Sequence, residues 1–90
     1  MAVTVKFFAN FREAAGVESA LVEAADVYSL LKALVAKFGE RLSKLLFEGE
    51  KLRETACIIV NGKSINLSEG LRTKLKDGDV VAIFPPVSGG

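Results

Sequence analysis

The 90-residue chain has no histidine and no tryptophan, and only one cysteine, one methionine, one tyrosine and two prolines. Histidine is the side chain that titrates nearest neutral pH, so its absence removes histidine-dependent triads and histidine metal sites. The single Cys57 excludes an internal disulfide, and its setting, Ala56-Cys57-Ile58-Ile59-Val60, reads as a strand interior where thiols are usually inert. Twelve basic and 11 acidic residues leave a net charge of +1 with no basic run, which gives no footprint for nucleic acid or an anionic membrane. No apolar stretch approaches a membrane span, and Met1 to Lys6 lacks the regions of a signal peptide, so a cytosolic protein is expected. The carboxylates are dispersed. Glu48/Glu50 and Asp77/Asp79 fall in turns and read as solvated residues without the water-excluding cleft a carboxylate dyad needs, and Asp77-Gly78-Asp79 lacks the remaining ligands of a calcium loop. Neither a P-loop nor a GxGxxG motif is present. No catalytic residue, no metal site and no bound cofactor is expected within the chain.

Half of the residues are hydrophobic, enough for one core in a chain too short for a deep cleft of its own. Val3, Val5 and Phe7 alternate with Thr4, Lys6 and Phe8, which predicts a first strand with Phe8 on its more polar face. Asn10 to Gly16 reads as a turn carrying Arg12 and Glu13, and Ser19 to Glu23 as a second, antiparallel strand. Val27, Leu30, Leu31, Leu34, Val35 and Phe38 form a helical stripe, with Asp26 placed to cap its start and Gly39 to stop it. Arg41 to Phe47 adds helical turns with Leu42, Leu45 and Leu46 inward, ended by Gly49. Ala56 to Val60 predicts a strand, Asn61-Gly62 a two-residue hairpin turn, and Lys63 to Leu67 the returning strand. Asp77-Gly78 marks another turn, and the uniformly apolar Val80 to Phe84 reads as a central strand buried on both faces. The order β-β-α-β-β predicts an α+β roll in which one main helix crosses a mixed sheet, the ubiquitin-like β-grasp architecture. Residues 1–84 would form this domain and 85–90 an extended tail.

That tail, Pro85-Pro86-Val87-Ser88-Gly89-Gly90, is the feature that points to function. Two prolines fix φ and hold the residues before them extended, so the segment leaves the domain as a stiff strut. At about 3.1 Å per residue, six residues carry the terminus on the order of 20 Å from the core. Gly89 and Gly90 lack Cβ atoms, and their backbone passes through a channel too narrow for any other residue. Pro85, Pro86, Val87, Ser88 and Gly89 are thus the expected insertion segment, and the Gly90 carboxylate the expected working group. A merely frayed terminus is the plain alternative.

Lys6 to Gly16 together with Leu75 to Gly90, and above all the run Phe84-Pro85-Pro86-Val87-Ser88-Gly89-Gly90, resembles the small, sulfur-carrying subunit family of molybdopterin synthase over the whole chain. The resemblance implies a carrier whose Gly90 carboxylate is adenylated by an E1-like adenylyltransferase at the expense of ATP. Conversion to a thiocarboxylate and insertion into the large synthase subunit would then deliver sulfur for the dithiolene of molybdopterin. It also implies docking through an apolar patch beside the tail, with Phe8 and Phe84 at its aromatic positions. Arg12 matches the family pattern and is assigned only a surface ion pair. Two other functions fit the same residues. One is a ubiquitin-like modifier joined through Gly90 to lysines, or a carrier for tRNA thiolation; the other is a β-grasp binding module without terminal chemistry.

Overall fold

Residues 1–86 are described by the computed structural model of the protein. In β1 (Ala2–Phe7) the period of two sorts side chains cleanly: Val3, Val5 and Phe7 are buried, while Thr4 and Lys6 lie on the opposite face. β1 pairs antiparallel with β2 (Ser19–Glu23) on one side and parallel with β7 (Val80–Phe84) on the other. β7 pairs antiparallel with β5 (Cys57–Val60), and β5 with β6 (Lys63–Ser64), giving the order β2-β1-β7-β5-β6. β3 (Phe47–Glu48) and β4 (Lys51–Leu52) form a separate small hairpin. This mixed sheet with helices on one face is the expected α+β roll.

The main helix α2 (Val27–Phe38) has the predicted bounds and lays Val27, Leu30, Leu31 and Leu34 against the sheet. Its N-cap Asp26 accepts a hydrogen bond from the Ser29 amide at 2.8 Å, satisfying one of the free amides of the first turn. Gly39, at φ 92°, breaks the helix in a region unfavourable to any residue with a Cβ. α3 (Glu40–Leu46) follows directly and buries Leu42 and Leu46, with Leu45 only half-buried. Phe7 meets Phe38 edge to face at 5.5 Å, locking sheet to helix.

Four expectations are corrected. Asn10 to Gly16 is a helix, α1 (Ala9–Ala15), not a turn. Its residues are strong helix formers (Ala, Arg, Glu), and one fully buried side chain, Phe11, anchors it, too little to register as a stripe; Gly16 at φ 79° is its C-cap. The strand expected over Lys63 to Leu67 stops at Ser64, whose hydroxyl accepts from the Asn66 amide at 3.2 Å and opens a 3-10 turn over Ile65–Leu67. Gly49 turns the β3/β4 hairpin at φ 65° instead of ending a helix. β7 is central but buried on one face only: Val81 and Ile83 are in the core, Val80 is exposed, and Ala82 and Phe84 are half-covered. All three helices lie on one side, so nothing in the described chain covers the other.

Two local devices hold the ends of the central strands. Asn61, in the left-handed region at φ 49°, accepts from the Val80 amide at 2.9 Å and donates to the Asp79 carboxylate at 2.8 Å. The other Asp79 oxygen accepts from the Lys76 amide at 2.8 Å. At the far end, Ala9 takes φ 51°, which turns the chain from β1 into α1 within one residue. The Phe8 amide donates to the Ile83 carbonyl at 3.1 Å, and the Phe11 amide to the Phe8 carbonyl at 3.0 Å, so the turn is held from both sides.

The Lys76 amide, and then Asn61, hold the Asp79 carboxyl below its ordinary value of 3.8, and the Ser29 amide does the same for Asp26. A depressed native pKa means that the unfolded chain binds more protons. The stabilisation is therefore complete above the ordinary carboxylate value and is lost as pH falls through it towards the lowered one. Urea midpoints recorded between about pH 6 and pH 2 should fall with acid, and Asp79→Asn should flatten that fall. An unchanged pH profile in Asp79→Asn would remove Asp79 as a contributor. Ala9→Gly relieves a conformation that costs an L-residue about 1–2 kcal/mol, against about 0.5–1 kcal/mol for the added backbone freedom of glycine. Its midpoint should hold level or rise, and a clear loss of stability would show that the left-handed turn at Ala9 is not strained.

Candidate functional site

The parallel register sets Thr4 beside Val80, Lys6 beside Ala82 and Phe7 beside Ile83. One step further, the Phe8 amide still donates to Ile83, so the chain leaves the ladder with Phe8 next to Phe84. Their rings meet edge to face, centroids 6.4 Å apart at 83°. Phe8 is 40% exposed and Phe84 half-buried. Phe8 thus lies just beyond β1, as the N-cap of α1, and its side chain makes no capping hydrogen bond. The structure brings the two predicted aromatic residues together on the open face of the sheet.

On the antiparallel side, Cys57 is the register partner of Phe84, and Ile59 that of Ala82. Register partners share a face, so the aromatic pair continues across the sheet into a small apolar surface. Cys57, expected in a strand interior, is the first residue of β5 and half-buried. Lys6, Ala82, Ile59 and Cys57 were not singled out from the sequence as part of a site. The signal was present as parity with Phe8 and Phe84, but the run Val80-Val81-Ala82-Ile83-Phe84 is apolar at every position and hides which residues face out.

Arg12 forms the expected surface ion pair, with Glu18 at 3.5 Å, both side chains well exposed. The pair borders a shallow recess of about 320 Å³ between Phe8, Lys6 and Ser19. At such exposure an ion pair contributes little stability. The two carboxylates with lowered pKa, Asp26 and Asp79, cap a helix and pin a turn. Asp79 adjoins the start of β7, at the opposite end of that strand from Phe84. Among the described residues no cluster of cysteine, aspartate and glutamate could hold a metal ion, and no helix is long and apolar enough to cross a membrane.

Pro85 and Pro86 continue directly from β7, so the tail departs beside the Phe8/Phe84 pair. The rest of the predicted insertion segment and its terminus, Val87, Ser88, Gly89 and Gly90, lie outside the described residues.

The sequence profile of the ThiS family matches residues 5–90. Small archaeal modifier protein 3 of Haloferax volcanii is 34% identical, with the whole of both chains covered. The solution structure of small archaeal modifier protein 1 from Methanosarcina acetivorans superposes with a TM-score of 0.89 at 40% identity, over 99% of this chain and 96% of that one. A putative molybdopterin converting factor, subunit 1, from Pyrococcus furiosus superposes with a TM-score of 0.76 at 32% identity, over 97% and 99% of the two chains. The chain belongs to the ThiS family of ubiquitin-like, β-grasp sulfur carriers.

Proposed function

We propose that this chain is the small subunit of a molybdopterin synthase, carrying sulfur as a thiocarboxylate on Gly90. The observation that carries the reading is the pairing of Phe8 with Phe84 on an uncovered sheet face, at the point where Pro85 and Pro86 lead off the chain. A docking surface and a delivery arm would thereby share one origin. The similarity to the molybdopterin converting factor of Pyrococcus furiosus supports the same assignment.

The chemistry follows from the carboxylate. Ionised at neutral pH, it resists attack and must first be activated. In the proposed cycle a Gly90 oxygen attacks the α-phosphorus of ATP on an E1-like adenylyltransferase, releasing pyrophosphate. A persulfide sulfur of the partner enzyme then displaces AMP, and a thiol cleaves the resulting S–S bond to leave the thiocarboxylate. ATP is thus a substrate of the activating enzyme and not a cofactor of this chain. The large synthase subunit receives the tail and supplies the groups that move sulfur to the pterin precursor, so the catalytic residues belong to the partners. The need for ATP and thiols is consistent with the cytosolic location expected from the sequence.

A second reading has its own support in the small archaeal modifier proteins that resemble this chain. The same acyl-adenylate, attacked by a lysine amine instead of sulfur, gives an isopeptide bond to a target protein. tRNA thiolation would draw on the same thiocarboxylate.

Intact mass spectrometry after incubation with ATP, a sulfur donor and the host's E1-like enzyme separates these readings. The expected result is one oxygen replaced by sulfur at Gly90. Lysine conjugates in place of thiocarboxylate would make the modifier reading primary, and neither product would leave a binding domain alone. Deleting Gly90 should abolish transfer with the fold intact, and Gly89→Leu should reduce it on the order of a hundredfold by misplacing the reacting group. Sulfur transfer retained without Gly90 would sink the proposal. Phe8→Lys should weaken partner binding by about 2 kcal/mol, as for a central interface aromatic. Its cost in stability should not exceed about 1 kcal/mol, the value of an edge-to-face pair. Unchanged affinity would reject Phe8 as a docking residue.

A further inference from the structure

The solvent face of an ordinary sheet is polar, whereas the open face here is poor in charge. On β7 it presents Val80, Ala82 and Phe84, and on β5 Cys57 and Ile59. On β1 it presents Thr4 and Lys6. Lys6 is the one charged residue among these three central strands' open-face positions, and it sits between Ser19 of β2 and Ala82 of β7. It makes no ion pair among the described residues. The two carboxylates bordering this side of β2 are engaged: Glu23 holds the Met1 amine at 3.0 Å, and Glu18 holds Arg12.

From this arrangement we infer that Lys6 is the charge that selects the partner on this face, and that the partner presents an apolar socket for Phe8 and Phe84 edged by a carboxylate that meets Lys6. The inference rests on the docking role proposed above and adds the partner's chemistry. Interface cores are depleted in charge because desolvating an unpaired ion is costly. A lysine at the edge of an apolar patch, between Ser19 and Ala82 and two residues before Phe8, therefore favours surfaces that supply an anion over those that do not. The same argument disfavours a second copy of this chain as the occupant. Two-fold packing would bring this face against itself, placing Lys6 opposite central strands whose open-face positions carry no carboxylate.

The test is titration calorimetry of the full chain against the host's E1-like enzyme at low and high salt, with adenylate formation followed in parallel. Lys6→Glu should raise Kd on the order of thirtyfold, and Lys6→Met about fivefold with most of the salt dependence lost. Lys37→Glu, the same charge change on the helical layer, should stay within about twofold. Urea midpoints close to that of the unsubstituted chain establish that the variants are folded. Binding by Lys6→Glu within about twofold of the unsubstituted chain would overturn the inference, as would a dimer in sedimentation velocity that Lys6→Glu disrupts. Adenylation that ignores Lys6 would overturn this inference and leave the carrier reading standing. Lys6-dependent binding without any Gly90 adenylate would do the reverse, and an enzyme that does not bind the chain at all would overturn both.

Discussion

The parallel pairing of β1 with β7 is the interaction on which the rest of this molecule depends. Parallel strands cannot be joined by a tight turn, so two segments more than 70 residues apart in the sequence have to be brought together across nearly the whole chain. Once formed, the pair supplies Val3, Val5, Phe7, Val81 and Ile83 to the centre of the core, all essentially inaccessible to solvent. The same ladder runs on through the Phe8 amide to Ile83 and brings Phe8 against Phe84. Core and candidate docking surface are therefore two faces of a single register. A slip of one residue would bury Lys6 and expose Phe7.

One-sidedness is the second consequence. The three helices and the Ile65–Leu67 3-10 turn pack on the Val5/Val81 side, and the other side of the central strands keeps small or apolar side chains, two aromatic rings and a lysine. Among the described residues, the three helices are all spent on one face of the five-stranded sheet. In a protein whose proposed chemistry happens on its partners, the uncovered face is the place proposed for meeting them. The sheet also gives a fixed base to Pro85 and Pro86, whose rings limit the directions of the chain, and this would link the proposed docking and delivery geometrically.

The ends of the central strands are secured by unlike means. At the start of β7, Asn61 and Asp79 join two turns by side-chain hydrogen bonds, a polar clasp at the surface. At its end, where the tail leaves, the backbone itself turns sharply at Ala9 in a left-handed conformation. Phe8 is thereby set by backbone geometry more than by side-chain packing, which leaves its ring accessible.

Much of the architecture was legible in the residues taken alone. Asp26 and Gly39 bounded the main helix because capping is chemistry between near neighbours, and Asn61-Gly62 marked its hairpin because only such residues take positive φ at little cost. The Pro85 to Gly90 tail read as an insertion segment on the same local grounds, and as that of a carrier only through its resemblance to a known family. α1 was not legible, because a single inward residue, Phe11, gives no periodicity and its burial depends on a core assembled from distant strands. Nor was the open face, since the apolar run from Val80 to Phe84 carries no sign of which side the helices cover. What the amino-acid order determined by itself were the helix caps and the hairpin turn, all set by neighbours in the chain. Tertiary structure alone decided that Phe8, Phe84 and Lys6 share one surface, because only the long-range register of β1 on β7 brings them together.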